Sequence, residues 1–186
     1  YMYTDNPNLV NMERIHHIDR TAPSQKSYHQ RLIVGEDPNA NQPWSLDDFT
    51  IEGTTITGLS PSGVGKRAVN KNLVLPDRNA SGEYITELAD TTNDTGLFAA
   101  EGEQFESVVL PCYLERIGNR AFCNSGIQRI EFPLTLKEIG IAAFQRNKLT
   151  SVILPDSVVT LGGGAFGTNP QLEQIILSRG LTEIPA

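Results

Sequence analysis

Cysteine, histidine and long apolar runs are all scarce in this chain of 186 residues, and each scarcity removes a class of protein. Two cysteines are too few to staple a disulfide scaffold, and they lack the spacing of a metal site. Cys112 and Cys123 are either a pair joined across neighbouring segments or two unpaired thiols. Only three histidines are present, His16, His17 and His29, and neither serine nor cysteine falls into a nucleophile pattern with a histidine and an acid. No enzyme activity, cofactor or metal is expected. The apolar runs, such as Val152-Ile153-Leu154, stop far short of the roughly 20 residues that cross a bilayer, so membrane insertion is not expected. Positive charge is also sparse: 15 Lys and Arg stand against 22 Asp and Glu, for a net charge of -7, which disfavours nucleic acid as a partner. The sequence begins at Tyr1 without a charged-then-apolar leader, which is expected of a piece of a longer precursor.

Turn formers, by contrast, are abundant. Sixteen glycines and eleven prolines spread along the chain predict many short elements rather than long helices. They fall in register. Ile117-Gly118-Asn119-Arg120-Ala121-Phe122, Ile139-Gly140-Ile141-Ala142-Ala143-Phe144 and Leu161-Gly162-Gly163-Gly164-Ala165-Phe166 align without gaps, each 22 residues after the last. Val108-Val109-Leu110-Pro111, Ile130-Glu131-Phe132-Pro133 and Val152-Ile153-Leu154-Pro155 keep the same period, and Ile175-Ile176-Leu177-Ser178 follows after 23. With Phe105, Ile127, Leu149 and Leu172 three residues ahead, the pattern is apolar-x-x-apolar-x-apolar, a repeated strand.

No 22-residue coil buries enough surface to fold alone, so coils stack and cover one another's apolar positions. Parallel strands are expected at Val108–Leu110, Ile130–Phe132, Val152–Leu154 and Ile175–Leu177. The prolines end each strand by lacking a donor, Gly118, Gly140 and Gly162 are expected to permit a tight return, and Phe122, Phe144 and Phe166 are expected to form an interior column.

The run from Leu149 to Phe166 resembles the BspA-like, or Treponema pallidum-type, leucine-rich repeat. The resemblance covers residues 105 to 186. It implies a solenoid of mostly β strands and turns on a secreted or surface-displayed protein of a Gram-positive bacterium, one that binds host or matrix proteins without a catalytic residue in the repeats. Residues 73–104 read as an expanded first repeat: Leu73-Val74-Leu75-Pro76 matches the strand, Leu88-Ala89 the Ile-Gly step and Phe98 the column. The 13 extra residues are assigned to the loops Asp77–Gly82 and Asp90–Gly96. The final repeat breaks off after Leu181-Thr182-Glu183-Ile184. Residues 44–72 form a cap-like β segment, in which Trp44–Gly58 reads as two strands around a Glu52-Gly53 turn and is similar to the segment that precedes such repeats in Gram-positive surface proteins. Residues 1–43 read as an N-terminal segment or linker, the end of a preceding module, with a short strand at Arg31–Val34.

The positions between the apolar ones are expected to face solvent on the concave side and to form the ligand surface. One row is Ser107, Arg129, Ser151 and Gln174; the next is Val109, Glu131, Ile153 and Ile176. The expected function is a non-catalytic protein-binding or adhesion module; the alternative is an accessory binding domain of a large secreted enzyme, a glycosidase or protease. Weak self-association is expected through the C-terminal edge at Ile175–Leu177, where an apolar flank and unpaired backbone meet water.

Four other motifs are weaker. Ser60–Arg67 imitates a phosphate-binding loop but has Ser60 and Arg67 where that loop needs glycine and Ser or Thr. His16, His17, Asp19 and His29 have metal-ligand chemistry without ligand geometry. Asp90, Asn93 and Asp94 lack the bidentate glutamate of a calcium loop. Asn79 and Asn93 sit in glycosylation sequons that a bacterial protein would leave unmodified and that mark surface loops.

Overall fold

The computed structural model describes residues 43–185, and the readings for His16, His17, Asp19, His29 and Arg31–Val34 lie outside them. A short 3-10 turn at Leu46–Asp48 leads into the hairpin of β1 (Phe49–Glu52) and β2 (Thr55–Leu59). The turn between them is Gly53-Thr54, with Gly53 at φ 59°, where lack of a Cβ removes the steric cost. One helix, α1 (Pro61–Arg67), follows, with Ser60 as its N-cap accepting from the Gly63 amide. The remainder is a coil of short strands: β3 (Asn72–Val74), β4 (Glu87–Leu88), β5 (Ser107–Val109), β6 (Arg116–Ile117), β7 (Glu138–Ile139), β8 (Ser151–Ile153), β9 (Thr160–Leu161) and β10 (Gln174–Ile176).

This is a mostly-strand solenoid with parallel sheets and little helix. One sheet is continuous over six strands, in the order β1-β2-β4-β6-β7-β9, parallel from β2 onward. The other strands form two separate pairs, β3 with β5 and β8 with β10, both parallel. The apolar repeat positions therefore bind two differently built walls. Three of the expected strands are present one residue earlier than read; in two of them the last residue read, Leu110 or Leu154, precedes a proline and lies past the end of the strand, although Leu154 still donates its amide to Ile176. The fourth is absent: at Ile130–Phe132 no strand forms, and only a parallel bridge of Arg129 to Ser107 remains. The register position filled by Leu75, Leu110 and Leu154 holds the larger Phe132 there. Its ring stands edge-on to Phe144 and Phe166 at 5.6 and 6.3 Å, and this bulk sets the segment apart from its neighbour.

The phenylalanine column is interior. Phe98, Phe122 and Phe144 have no solvent exposure, and consecutive rings from Phe98 to Phe166 lie 5.2–5.6 Å apart. The stack continues into the hairpin, where Phe49 meets Phe98 edge-on and Trp44 packs on Phe49 and Phe105. Leu73 pairs with Val108 and Leu88 with Ile117, and Phe98 stacks on Phe122, so these three residues lie beside their counterparts in the following coil. A small bulge after Phe98 is closed by the Ala100–Glu103 bridge.

Gly118, Gly140 and Gly162 do a different job from the one expected of them. None has a positive φ. A Cβ on each would sit 2.3–2.6 Å from backbone atoms of the preceding coil, so glycine is required for close approach. The tight return is made two residues later, at Arg120, Ala142 and Gly164, with φ of 58°, 53° and 62°.

Candidate functional site

The strand pairings bring the two outward rows together as pairs. Ser151 is adjacent to Gln174 and Ile153 to Ile176, while Arg129 bridges to Ser107. Pairing of β3 with β5 adds Asn72 to the polar row and Val74 beside Val109, and Ser107 Oγ donates to Asn72 Oδ1 at 2.7 Å. Alternation places Val108 and Val152 inward and the row residues outward, as the two-residue period of a strand demands. Arg129, Glu131, Ser151, Gln174, Ile153 and Ile176 are exposed, whereas Ser107 and Val109 are half-buried. The two rows are not one uninterrupted wall. Where the ladder fails between the third and fourth coils a cleft of about 500 Å³ opens, lined by Arg129, Glu131, Leu134, Ser151, Ile153 and Pro155 among others. Lys148 donates to the Ile127 carbonyl before it and Val159 to Lys137 after it, so the gap is bounded on both sides.

The continuous sheet carries the opposite chemistry. Arg116 reaches Glu87 and Asp90 at 2.7 Å and Glu138 at 3.1 Å, tying three coils with one guanidinium. Asp90 accepts from the Asn119 amide and from Arg116, and these contacts hold its carboxyl below the ordinary value despite partial burial. Asp94 pairs with Arg120. The carboxylates of Asp90 and Asp94 are thus bound to arginines. Among the described residues no group of three or more His, Cys, Asp or Glu is placed to hold a metal ion.

Ser60–Arg67 is a helix with both cations engaged. Lys66 donates to buried Asp48 and to the Pro43 carbonyl, and Arg67 to Glu103 and the Phe98 carbonyl. Burial pushes the Asp48 carboxyl up, but hydrogen bonds from Lys66, Ser62 and Ser45 outweigh it and leave the group below its ordinary value. Asn79 caps its own loop, accepting from the Ser81 and Glu83 amides. Cys112 and Cys123 are buried, and no disulfide joins them. Burial and the nearby Asp77 carboxylate push Cys112 up to about 12, and burial raises Cys123.

One set of residues escaped the sequence reading. Asn147 Oδ1 accepts from the Ser125 and Ile127 amides, and its Nδ2 donates to the Phe122 carbonyl; Asn169 repeats the arrangement with Leu149 and Phe144. These buried amides join successive coils beside the phenylalanine column. Their 22-residue spacing was a signal, hidden because Ser125 holds the position one coil earlier.

The profile described as the BspA type leucine rich repeat region, in six copies, matches residues 94–186. This chain belongs to the BspA-type leucine-rich-repeat family. The matched half contains the whole column from Phe98 to Phe166 and the whole cleft. No curated protein matches the sequence. Among solved structures, the crystal structure of the T. pallidum leucine rich repeat protein is similar at 24% identity and a TM-score of 0.52, over 72% of this chain and 71% of that one. A leucine-rich repeat protein from Bacteroides ovatus aligns at 21% identity with a TM-score of 0.43, over 72% of this chain and 39% of that one. The first likeness speaks to the fold alone. No helix among the described residues is long and apolar enough to cross a membrane.

Proposed function

We propose that this BspA-type chain is a non-catalytic protein-binding or adhesion module of a secreted or surface-displayed bacterial protein, with its ligand, a host or matrix protein, on the rows of the interrupted sheet. The observation that carries the reading is the chemistry of that wall. A polar row, from Asn72 to Gln174, runs beside an apolar row in which Ile153 is 63% and Ile176 46% exposed. Mixed exposed aliphatic and polar surface of this kind suits a protein partner, and leucine-rich repeats are typically used for protein–protein interaction. Residues 44–72 act in this reading as the cap that covers the first coil through Trp44 and Phe49.

The test is binding to an array of purified matrix and serum proteins by the chain and by Glu131→Arg and Ile153→Asp. Loss of a bound partner in both variants, with unchanged denaturation midpoints, supports the reading; unaltered binding by both removes the rows from it. Weak self-association through Ile175–Leu177, whose side chains are all exposed, belongs to the same proposal. It predicts a sedimentation coefficient that rises with concentration and ceases to rise in Ile175→Lys; a concentration-independent value counts against it.

A further inference from the structure

The cleft in the interrupted sheet has properties that the rows alone do not. It lies where Ile130–Phe132 fail to join β8, so it runs along the strand direction, flanked by Arg129–Leu134 on one side and Thr150–Pro155 on the other. Six extended residues span about 20 Å at roughly 3.3 Å each. Its exposed apolar side chains are aliphatic, Leu134 at 49% and Ile153 at 63%, whereas the one lining aromatic, Phe132, is buried among the column rings and offers no face for stacking a sugar or base.

Its charges are unequal in availability. Glu131 is engaged in a contact of its own. Arg116, Arg120, Arg179 and Arg67 are each held by a carboxylate, Arg78 lies over the Tyr84 ring, and the exposed Arg146 lies outside the cleft. Among the described residues, no such partner holds the exposed Arg129 guanidinium, and it lines the cleft. A guanidinium left open in a molecule of net charge -7 selects against phosphate polymers at long range yet offers a two-pronged contact to a single carboxylate at short range.

We propose that this cleft binds an extended peptide segment of a partner protein, taking an aliphatic side chain against Leu134 and Ile153 and an adjacent Asp or Glu on Arg129. The inference rests on the protein-binding reading above and names the chemistry of what is bound. An aliphatic anchor fills the part of the cleft that no aromatic group serves, and the carboxylate fixes its register along the strand direction.

The experiment uses the full chain and three fluorescein-labelled decapeptides with the same Leu-Ile centre, flanked by Asp, by Asn or by Lys, followed by fluorescence anisotropy. The expected order of affinity is Asp, then Asn, then Lys, with about a tenfold or greater gap between the first and last, the size of one charge-assisted contact. Arg129→Glu should invert that order, and Ile153→Asp should weaken all three peptides by about tenfold or more. Val159→Asp changes an exposed aliphatic residue beside the continuous sheet and should leave binding unchanged. Arg129→Gln, which keeps the size of the side chain, should bring the three peptides close to equal affinity and serves if the reversed charge perturbs folding. Equal affinities in the unaltered chain, an unchanged order in both Arg129 variants, or an equal loss from Val159→Asp would overturn the proposal. Absence of binding by any decapeptide at millimolar concentration overturns the cleft inference while leaving the array experiment to judge the broader reading.

Discussion

The two walls of this solenoid are made from the same coils, yet one is a six-stranded ladder and the other is two pairs with a gap. Along the continuous wall, glycines at 118, 140 and 162 let backbones approach within the volume a Cβ would fill, and the amide of each bonds back to the preceding coil, at Leu88, Ile117 and Ile139. The interrupted wall has no glycine in the corresponding role, has a proline after four of its five strand positions, and has the oversized Phe132 at one register. Close approach produces pairing and cohesion. Its local failure produces a cleft and exposed side chains, which are what recognition requires.

The comparison can be broken or sharpened by substitution. The largest effect should come from Phe144→Ala, since both walls rest on the column and Phe144 stacks between Phe122 and Phe166; a loss of about 3–5 kcal/mol is expected from urea denaturation. Gly140→Val should cost about 3 kcal/mol, because its Cβ would meet Asn119 and Gly118 backbone atoms at 2.6 and 2.7 Å. A small loss from this variant would mean that the continuous wall is not set by coil spacing.

Asn147→Ala should cost about 2 kcal/mol by leaving two amides and a carbonyl without their buried partner. Hydrogen exchange should then speed at Ser125 and Ile127, and an unchanged rate would deny the asparagine its bridging role.

Asp90→Asn keeps an acceptor for the Asn119 amide but removes the charge beside Arg116. Because the folded carboxyl is depressed, its stabilisation is present above the ordinary value of 3.8 and is lost as pH falls through the lower folded value. The variant should lose less than about 1 kcal/mol near neutrality, given the solvent screening of this exposed group, and show a shallower decline in acid. A thermal-midpoint series from pH 2 to 7 measures both. Ile153→Asp should alter stability least, within about 0.5 kcal/mol, since it lies on the open wall; a large drop would show that the cleft is part of the core.

Much of this was legible from the amino acids. The 22-residue spacing of Phe122, Phe144 and Phe166, and of the Val-x-Leu-Pro segments, led directly to the stacked coil and to the family, because a period that coincides with buried side chains admits few other folds. Less legible were Asn147 and Asn169, polar residues in a turn, whose value depends on carbonyls and amides a coil away. The glycines were recognised as necessary but for the wrong reason: spacing alone does not distinguish a positive φ from a close approach.

By itself the sequence determined the period, the direction of stacking and which side chains are interior, since those follow from local alternation and from apolar positions that repeat along the chain. Only the tertiary structure decided which of the two candidate strand rows is continuous, where the other opens, and that among the described residues no carboxylate holds Arg129 while Arg116 has three. The physical reason is that backbone pairing requires two coils to come within hydrogen-bond distance. That distance depends on the bulk of side chains such as Phe132, and on the absence of one at Gly140, acting between residues 20 or more positions apart.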